Sequence, residues 1–186
     1  MKSNYAKKII AVASLTALGL FFPYFCLADN LGINSVAPYF KVVSGDNEEL
    51  TLNDIEGKVT VVFYETKDTI EVNRKLKNEL NKFYDAQPDS AKKAILRVPI
   101  INCKGVFFVG IWRNELKVHS KKEGITIYGD WDGRMFSAYG IKDKESNLII
   151  IDTKGIIRYC SFGKIQEKDI KKIKDLLVTM INETRK

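Results

Sequence analysis

Two short apolar runs dominate the hydrophobic pattern of this chain. The first is Val59–Tyr64, rich in β-branched and aromatic residues, and the second lies within Asn147–Asp152. Runs of this length, bounded by glycine and polar residues, predict strands that are buried on both faces. After a polar turn at Glu65–Thr69, apolar residues recur at helical spacing, namely Val72, Leu76, Leu80, Phe83 and Tyr84. This stretch therefore predicts a buried strand, a turn and a helix, which together begin a βαβ unit.

The remaining pattern alternates short strands with helices. Further strands are predicted at Tyr39–Val43, Arg97–Asn102, Ile125–Tyr128 and Ile156–Cys160, and further helices at Ile111–Lys122, Arg134–Tyr139 and Gln166–Asn182. Asp152–Gly155 predicts a hairpin turn between the last two strands. Pro99 predicts an edge strand, because proline has no N–H to donate to a sheet. The apolar segment Gly105–Gly110 predicts a packed loop.

The first 28 residues have the layout of a secretory signal peptide. Three lysines precede the uncharged, mostly apolar run Ile9–Phe22, and a small residue, Ala28, ends the segment. The apolar run is shorter than the roughly 20 residues of a membrane span. We expect cleavage after Ala28, one domain over residues 29–186, and a periplasmic or otherwise exported location. The alternative is an uncleaved segment that anchors the protein to the membrane.

Removal of residues 1–28 changes the charge and the cysteine count. It takes away three lysines and no acids, so the net charge falls from +7 to +4. A net positive charge this small is not typical of proteins that bind nucleic acids. Two cysteines remain, Cys103 and Cys160, on strands whose order predicts free thiols rather than a disulfide. Gly129–Gly133 resembles the start of a calcium loop but lacks the later acidic ligands. We expect a turn there, and neither metal nor cofactor.

Three stretches carry a resemblance to a known superfamily: APYFKVVSGDNEELTLNDIEGKVTVVFY, ITIYGDWDGRMFSAYGI and LIIIDTKGIIRYCSFG. Together they resemble thioredoxin-like proteins, in particular the exported redoxin branch with the TlpA and ResA types and the peroxiredoxins. A weaker resemblance is to the YtfJ-type periplasmic proteins. The resemblance implies an α/β thioredoxin-like fold, with a central mixed β-sheet flanked by helices and an N-terminal strand extension.

The chain departs from this superfamily at its redox motif. The two cysteines of Cys-x-x-Cys would fall near Asp68 and Glu71, at the predicted helix start, and no cysteine occurs between Gly57 and Asn102. The peroxidatic cysteine of peroxiredoxins would fall in the same place. The cis-proline of the superfamily is replaced by Ser146 or a neighbour. Thioredoxin-type dithiol exchange is therefore not expected.

These observations leave two function classes that the sequence separates, and a third, a structural role in envelope assembly, that it does not separate from the first. The first is a redox-inactive binding or scaffold module, not an enzyme, whose partner is an unknown periplasmic protein or extended peptide. Its predicted contact residues are Tyr64, Glu65, Thr66, Lys67, Asp68, Thr69, Ile70 and Ser146. The second is a noncanonical thiol oxidoreductase or peroxidase-like enzyme that uses Cys103 or Cys160. In either class, contact with a membrane is expected only through an uncleaved N-terminal segment.

Overall fold

One mixed β-sheet of seven strands forms the centre of the structure, a computed structural model that describes residues 32–184. Its strands are β1 (Lys41–Ser44), β2 (Glu49–Thr51), β3 (Val59–Glu65), β4 (Ile95–Asn102), β5 (Tyr128–Asp130), β6 (Asn147–Ile151) and β7 (Ile157–Phe162). They lie in the order β2-β1-β5-β4-β3-β6-β7. The central strand, β3, pairs in parallel with β4 and antiparallel with β6. The strand pair β1–β2 is the predicted N-terminal extension.

Helices cover both faces of this sheet. They are α1 (Arg74–Asp85), α2 (Asp89–Ala94), α3 (Val109–Glu123), α4 (Arg134–Ala138) and α5 (Glu167–Glu183), with a single 3₁₀ turn at Asn53–Ile55. On one face, α1 and α5 pack on alternate residues of β3 such as Val61 and Phe63. On the other face, α4 packs on the intervening residues, Val62 and Tyr64. All seven residues of β3 are therefore buried, as its apolar run predicts.

The first helix begins later than the sequence pattern predicts. Lys67–Asn73 forms turns, and α1 starts only at Arg74, so Asp68 and Glu71 precede the helix. The Thr69 hydroxyl accepts a hydrogen bond from the Thr66 N–H (2.9 Å) and donates one to the Thr66 carbonyl (3.2 Å). Such local side-chain bonds compete with helical ones and delay the helix.

Two further predictions about local structure are wrong. The strand that contains Pro99 is not an edge strand, because β4 lies between β3 and β5. The short β5 pairs with Ile100–Asn102 only, so Pro99 lies just outside that pairing, where a missing donor is tolerated. The segment Gly105–Gly110 is not a packed loop either, since Phe107 is 95% exposed and Phe108 is 69% exposed.

The predicted signal peptide and its cleavage after Ala28 lie outside the described residues. Within residues 32–184, no helix is long and apolar enough to cross a bilayer.

Candidate functional site

The carboxyl end of β3, the turns before α1 and the loop before β6 meet at one edge of the sheet. We call this region, residues 64–70 with Asn73, Lys77 and Ser146, the corner site. Its centre is Glu65, the last residue of β3, which is only 3% exposed. Glu65 Oε2 accepts a hydrogen bond from Lys77 Nζ at 2.5 Å, and Oε1 accepts one from Ser146 Oγ at 2.6 Å.

A second buried side chain extends this network. Asn73 Nδ2 donates to Ser146 Oγ (3.0 Å) and to the Gly163 carbonyl (2.9 Å), while its Oδ1 accepts from the Ile165 N–H (2.9 Å). Lys77 also donates to the Ile70 carbonyl at 2.8 Å. The network therefore ties β3 and α1 to the loops that precede β6 and follow β7.

Burial and ion pairing shift the pKa of Glu65 in opposite directions. Burial raises the pKa of its carboxyl group, while the Lys77 ammonium and the Ser146 hydroxyl act to lower it. The hydrogen bonds from Lys77 and Ser146 to this buried carboxylate connect α1 and the loop before β6 to the end of β3. Ser146 is 0% exposed and Glu65 is 3% exposed, so neither side chain presents a reactive group at the surface.

The eight contact residues predicted from the sequence fall into two groups. Tyr64, Glu65, Thr69 and Ser146 are buried, whereas Thr66, Lys67, Asp68 and Ile70 have accessible surface. Tyr64 points to the opposite face of the sheet from the corner network and packs among that core. Only the second group is accessible from solvent, and the buried group lies beneath that surface.

Asp130 is a buried acid that sequence reasoning assigned to a turn. It is the last residue of β5, and its Oδ2 accepts hydrogen bonds from Tyr64 Oη (2.8 Å) and the Phe136 N–H (2.9 Å). Its Oδ1 is buried without a hydrogen-bond partner among the described residues. The pKa of this carboxyl group is raised, and burial is the largest cause. An aspartate shortly before a short helix is typical of helix capping, and that signal could have identified it.

The two cysteines lie in environments that disfavour thiol chemistry. Cys103 directly follows β4 and is 1% exposed, and burial with the nearby Asp130 carboxylate raises its pKa to about 12. Cys160 in β7 is half-buried, and burial raises its pKa to about 11. Both are free thiols, and β3 and β6 separate their strands, as the predicted strand order requires. Because the thiolate is the reactive form, both pKa shifts lower reactivity at neutral pH.

A groove of about 700 Å³ opens beside the corner site, between α1 and α3. Its floor is formed by β3 and β4, and its lining is mostly apolar: Phe63, Pro99, Ile101, Trp112, Leu116 and Ile127 contribute side chains. Glu65 and Lys77 line the end nearest the corner site. The sequence pattern did not predict this groove.

An exposed apolar patch continues from the same end of the groove. It consists of Phe107, Phe108, Val109 and Ile111, at the start of α3. Val106, just before the patch, packs with Ile70 against one small buried cluster, so the patch borders the corner site. Contiguous exposed apolar surface of this kind is typical of interaction sites.

Potential metal ligands do not cluster in the part of the chain that the structure describes. Nowhere in residues 32–184 do three His, Cys, Asp or Glu side chains converge as a ligand set.

The family model of the AhpC/TSA family matches residues 33–160, more than half of the chain. The chain belongs to the AhpC/TSA family. None of the curated proteins matches it significantly. Membership confirms the resemblance to redoxins that the three sequence stretches indicate.

Solved structures show the same fold as this AhpC/TSA member. The thioredoxin domain of a thiol-disulfide oxidoreductase from Bacteroides vulgatus is 17% identical (TM-score 0.58; 80% of this chain and 99% of that chain covered). Thiol peroxidase from Chromobacterium violaceum is 14% identical (TM-score 0.60; 82% and 89%). The exposed lipoprotein thioredoxin of Streptococcus pneumoniae is 16% identical (TM-score 0.53; 78% and 99%). These similarities confirm the thioredoxin-like α/β fold.

Proposed function

We propose that this chain is an exported binding or scaffold module without thiol redox activity. One observation carries the proposal. Near Asp68 and Glu71, where the resemblance to redoxins predicts a dithiol, the chain has no cysteine, and the buried pair Glu65–Lys77 with Ser146 forms the network beside these positions. An ion pair of this kind stabilises the edge of the sheet and transfers no electrons.

The surface around the corner site supports a binding role. Lys67, Asp68 and Ile70 are accessible there, next to the exposed apolar patch with Phe107 and Phe108. Apolar residues beside charged ones are typical of protein interfaces, in which aromatic side chains contribute most of the affinity. The proposed partner is a protein segment that presents apolar side chains to this surface.

The proposed location rests on the N-terminal sequence pattern. A positive start, an apolar run and a small residue at Ala28 are typical of export signals. Among proteins of this fold, the Streptococcus pneumoniae thioredoxin is described as an exposed lipoprotein. Both observations support a periplasmic or otherwise exported protein.

Site-specific photocrosslinking in the native host tests the binding role. A photoreactive phenylalanine at Phe107 is expected to form one discrete adduct, whose second component mass spectrometry identifies. With that partner purified, Phe108→Asp is expected to weaken binding at least tenfold, because a charge replaces a central aromatic contact. The matched control is Val178, which is apolar and also exposed, but lies on α5.

Two outcomes would count against the binding role. One is an equal adduct pattern at Phe107 and Val178, which would mean that the patch has no special affinity. The other is an adduct with the mass of two copies of this chain, which would assign the patch to self-association.

Alkylation of the folded protein tests the redox-inactive part of the proposal. With iodoacetamide at neutral pH, both cysteines are expected to react much more slowly than a free thiol, because burial raises both pKa values. In cells, the double variant Cys103→Ser with Cys160→Ser is expected to keep its function. Rapid alkylation of either cysteine, together with loss of function in that variant, would instead support the thiol enzyme.

A further inference from the structure

An arginine that has no acidic partner within residues 32–184 lies in the floor of the apolar groove. Arg97 is on β4, half-buried, and its register partner on β3 is Val61. Its guanidinium stacks over the Tyr84 ring, 4.1 Å from the ring centroid. The one hydrogen bond that this guanidinium makes within residues 32–184 is donated by Nη1 to Asn81 Oδ1, at 2.9 Å. A guanidinium has five N–H donors, so most of the Arg97 donors have no protein acceptor in the described part of the chain and are available to a ligand.

The acids that line the groove do not neutralise this cation. Glu65 pairs with Lys77 and Glu71 pairs with Arg74, while Glu115 lies on the far helix with its Oε2 atom 3.7 Å from His119 Nε2, and none of the three forms an ion pair with Arg97 within residues 32–184. The fourth, Glu123, is exposed at the end of α3, and no ion pair joins it to Arg97. Lys122 lies in the same last turn of α3 and adds positive charge at that rim.

The groove is apolar between Arg97 and the corner site. Pro99 and Ile101 follow Arg97 on the same face of β4, and Trp112 packs near Ile101. Four residues of a strand span about 13 Å, at about 3.3 Å a residue. The groove therefore offers a fixed cation at one end and an apolar channel of that length leading away from it.

We propose that this groove binds a small amphiphilic carboxylate, with its head on Arg97 and its tail along Pro99 and Ile101 toward Trp112. A planar guanidinium matches a carboxylate with two parallel hydrogen bonds. The volume of about 700 Å³ is within the usual range of small-molecule sites, which are mostly apolar with a few placed polar groups. Arg97 lies at the opposite end of the groove from the exposed apolar patch proposed to contact the protein partner, and the test below does not depend on that partner.

Titration calorimetry with decanoate, below its micelle concentration, tests the proposal on the purified protein. Decanoate is expected to bind, whereas decyltrimethylammonium, with the same tail and the opposite charge, and acetate, without a tail, are not. Arg97→Gln is expected to weaken decanoate binding about tenfold or more, because a charge-assisted pair is lost. The matched control is Arg113→Gln: Arg113 stacks on an aromatic ring, Trp131, but does not line the groove.

Fluorescence quenching locates the ligand without altering Arg97. In a Trp131→Phe background, decanoate with bromine on its last carbon is expected to quench Trp112 more than decanoate with bromine on carbon 2. Equal quenching by both, equal binding by the Arg97 and Arg113 variants, or binding of decyltrimethylammonium as tight as that of decanoate would each overturn the proposal.

Discussion

Replacing Lys77 by methionine is expected to lower the free energy of unfolding by about 3 kcal/mol, because it leaves a buried carboxylate without its counter-charge. Glu65 is 3% exposed and keeps only the Ser146 hydroxyl as a partner in this variant. The lost hydrogen bond to the Ile70 carbonyl adds to the cost. Methionine preserves much of the aliphatic stem of lysine, so lost packing contributes little. Urea denaturation measures the change.

The double variant Glu65→Gln with Lys77→Met is expected to recover most of the loss, because a neutral amide needs no counter-charge. Glu65→Gln alone is expected to cost less than Lys77→Met, since the Lys77 side chain is 17% exposed and can turn its ammonium toward water. The exposed pair Lys41–Glu49 supplies the control, and Lys41→Met is expected to leave the urea midpoint unchanged. A double variant no more stable than Lys77→Met would contradict this account of the corner site.

The stability deficit of Lys77→Met is also expected to depend on pH. Burial already raises the pKa of Glu65, and loss of the ammonium raises it further. The folded variant then holds a proton that the unfolded chain releases at lower pH. Its deficit is therefore smallest below the ordinary pKa of glutamate and grows as the pH rises toward neutrality.

Replacing Gly45 by alanine is expected to destabilise the protein by about 2 kcal/mol through overpacking. Gly45 lies in the turn between β1 and β2, against the middle of α3. A Cβ atom there would collide with the Arg113 carbonyl oxygen and approach the Lys117 N to 2.6 Å. Both are backbone atoms of a helix, so no side-chain rotation relieves the contact. The whole helix must move away from the turn, where Lys117 and Asp46 now form an ion pair.

Gly110→Ala is the matched control for this prediction. Gly110 lies in the first turn of α3, and a Cβ atom there meets no other atom within 4 Å. Alanine favours a helix over glycine by up to about 1 kcal/mol, so this variant is expected to be as stable as the parent or more so. Thermal unfolding compares the two variants. Equal midpoints for Gly45→Ala and the parent would show that α3 is free to shift from the turn.

Much of the fold could be predicted from sequence, because its signals are local. The apolar runs of β3 and β6 require strands that are buried on both faces, and the D-x-x-G turn at Asp152–Gly155 requires a hairpin. The boundary of α1 could not be predicted in this way, because the Thr69 hydroxyl competes with the helix for backbone partners. The interior position of β4 could not be predicted either, because β5 pairs only with Ile100–Asn102, and the residues of β4 do not reveal that this pairing stops short of Pro99.

The candidate site could be predicted only in part. The missing dithiol follows from the residue types alone, since no cysteine occurs near Asp68 and Glu71. The buried ion pair Glu65–Lys77 in the corner site could not be predicted from the sequence pattern. Glu65 and Ser146 are 81 residues apart in the chain, and only the pairing of β3 with β6 brings their side chains together.

For this protein, the amino-acid sequence alone was sufficient to predict the succession of strands and helices along the chain, the resemblance to redoxins and the absence of a dithiol motif. Each of these depends on residue type and short-range spacing. The buried ion pair depends on long-range packing instead, and so do the Asp130 oxygen and the Arg97 guanidinium, neither of which has a charged partner in the described part of the chain. Strand order and register set which side chains share a face, and a charged residue has a different chemistry when its neighbours exclude water and provide no partner.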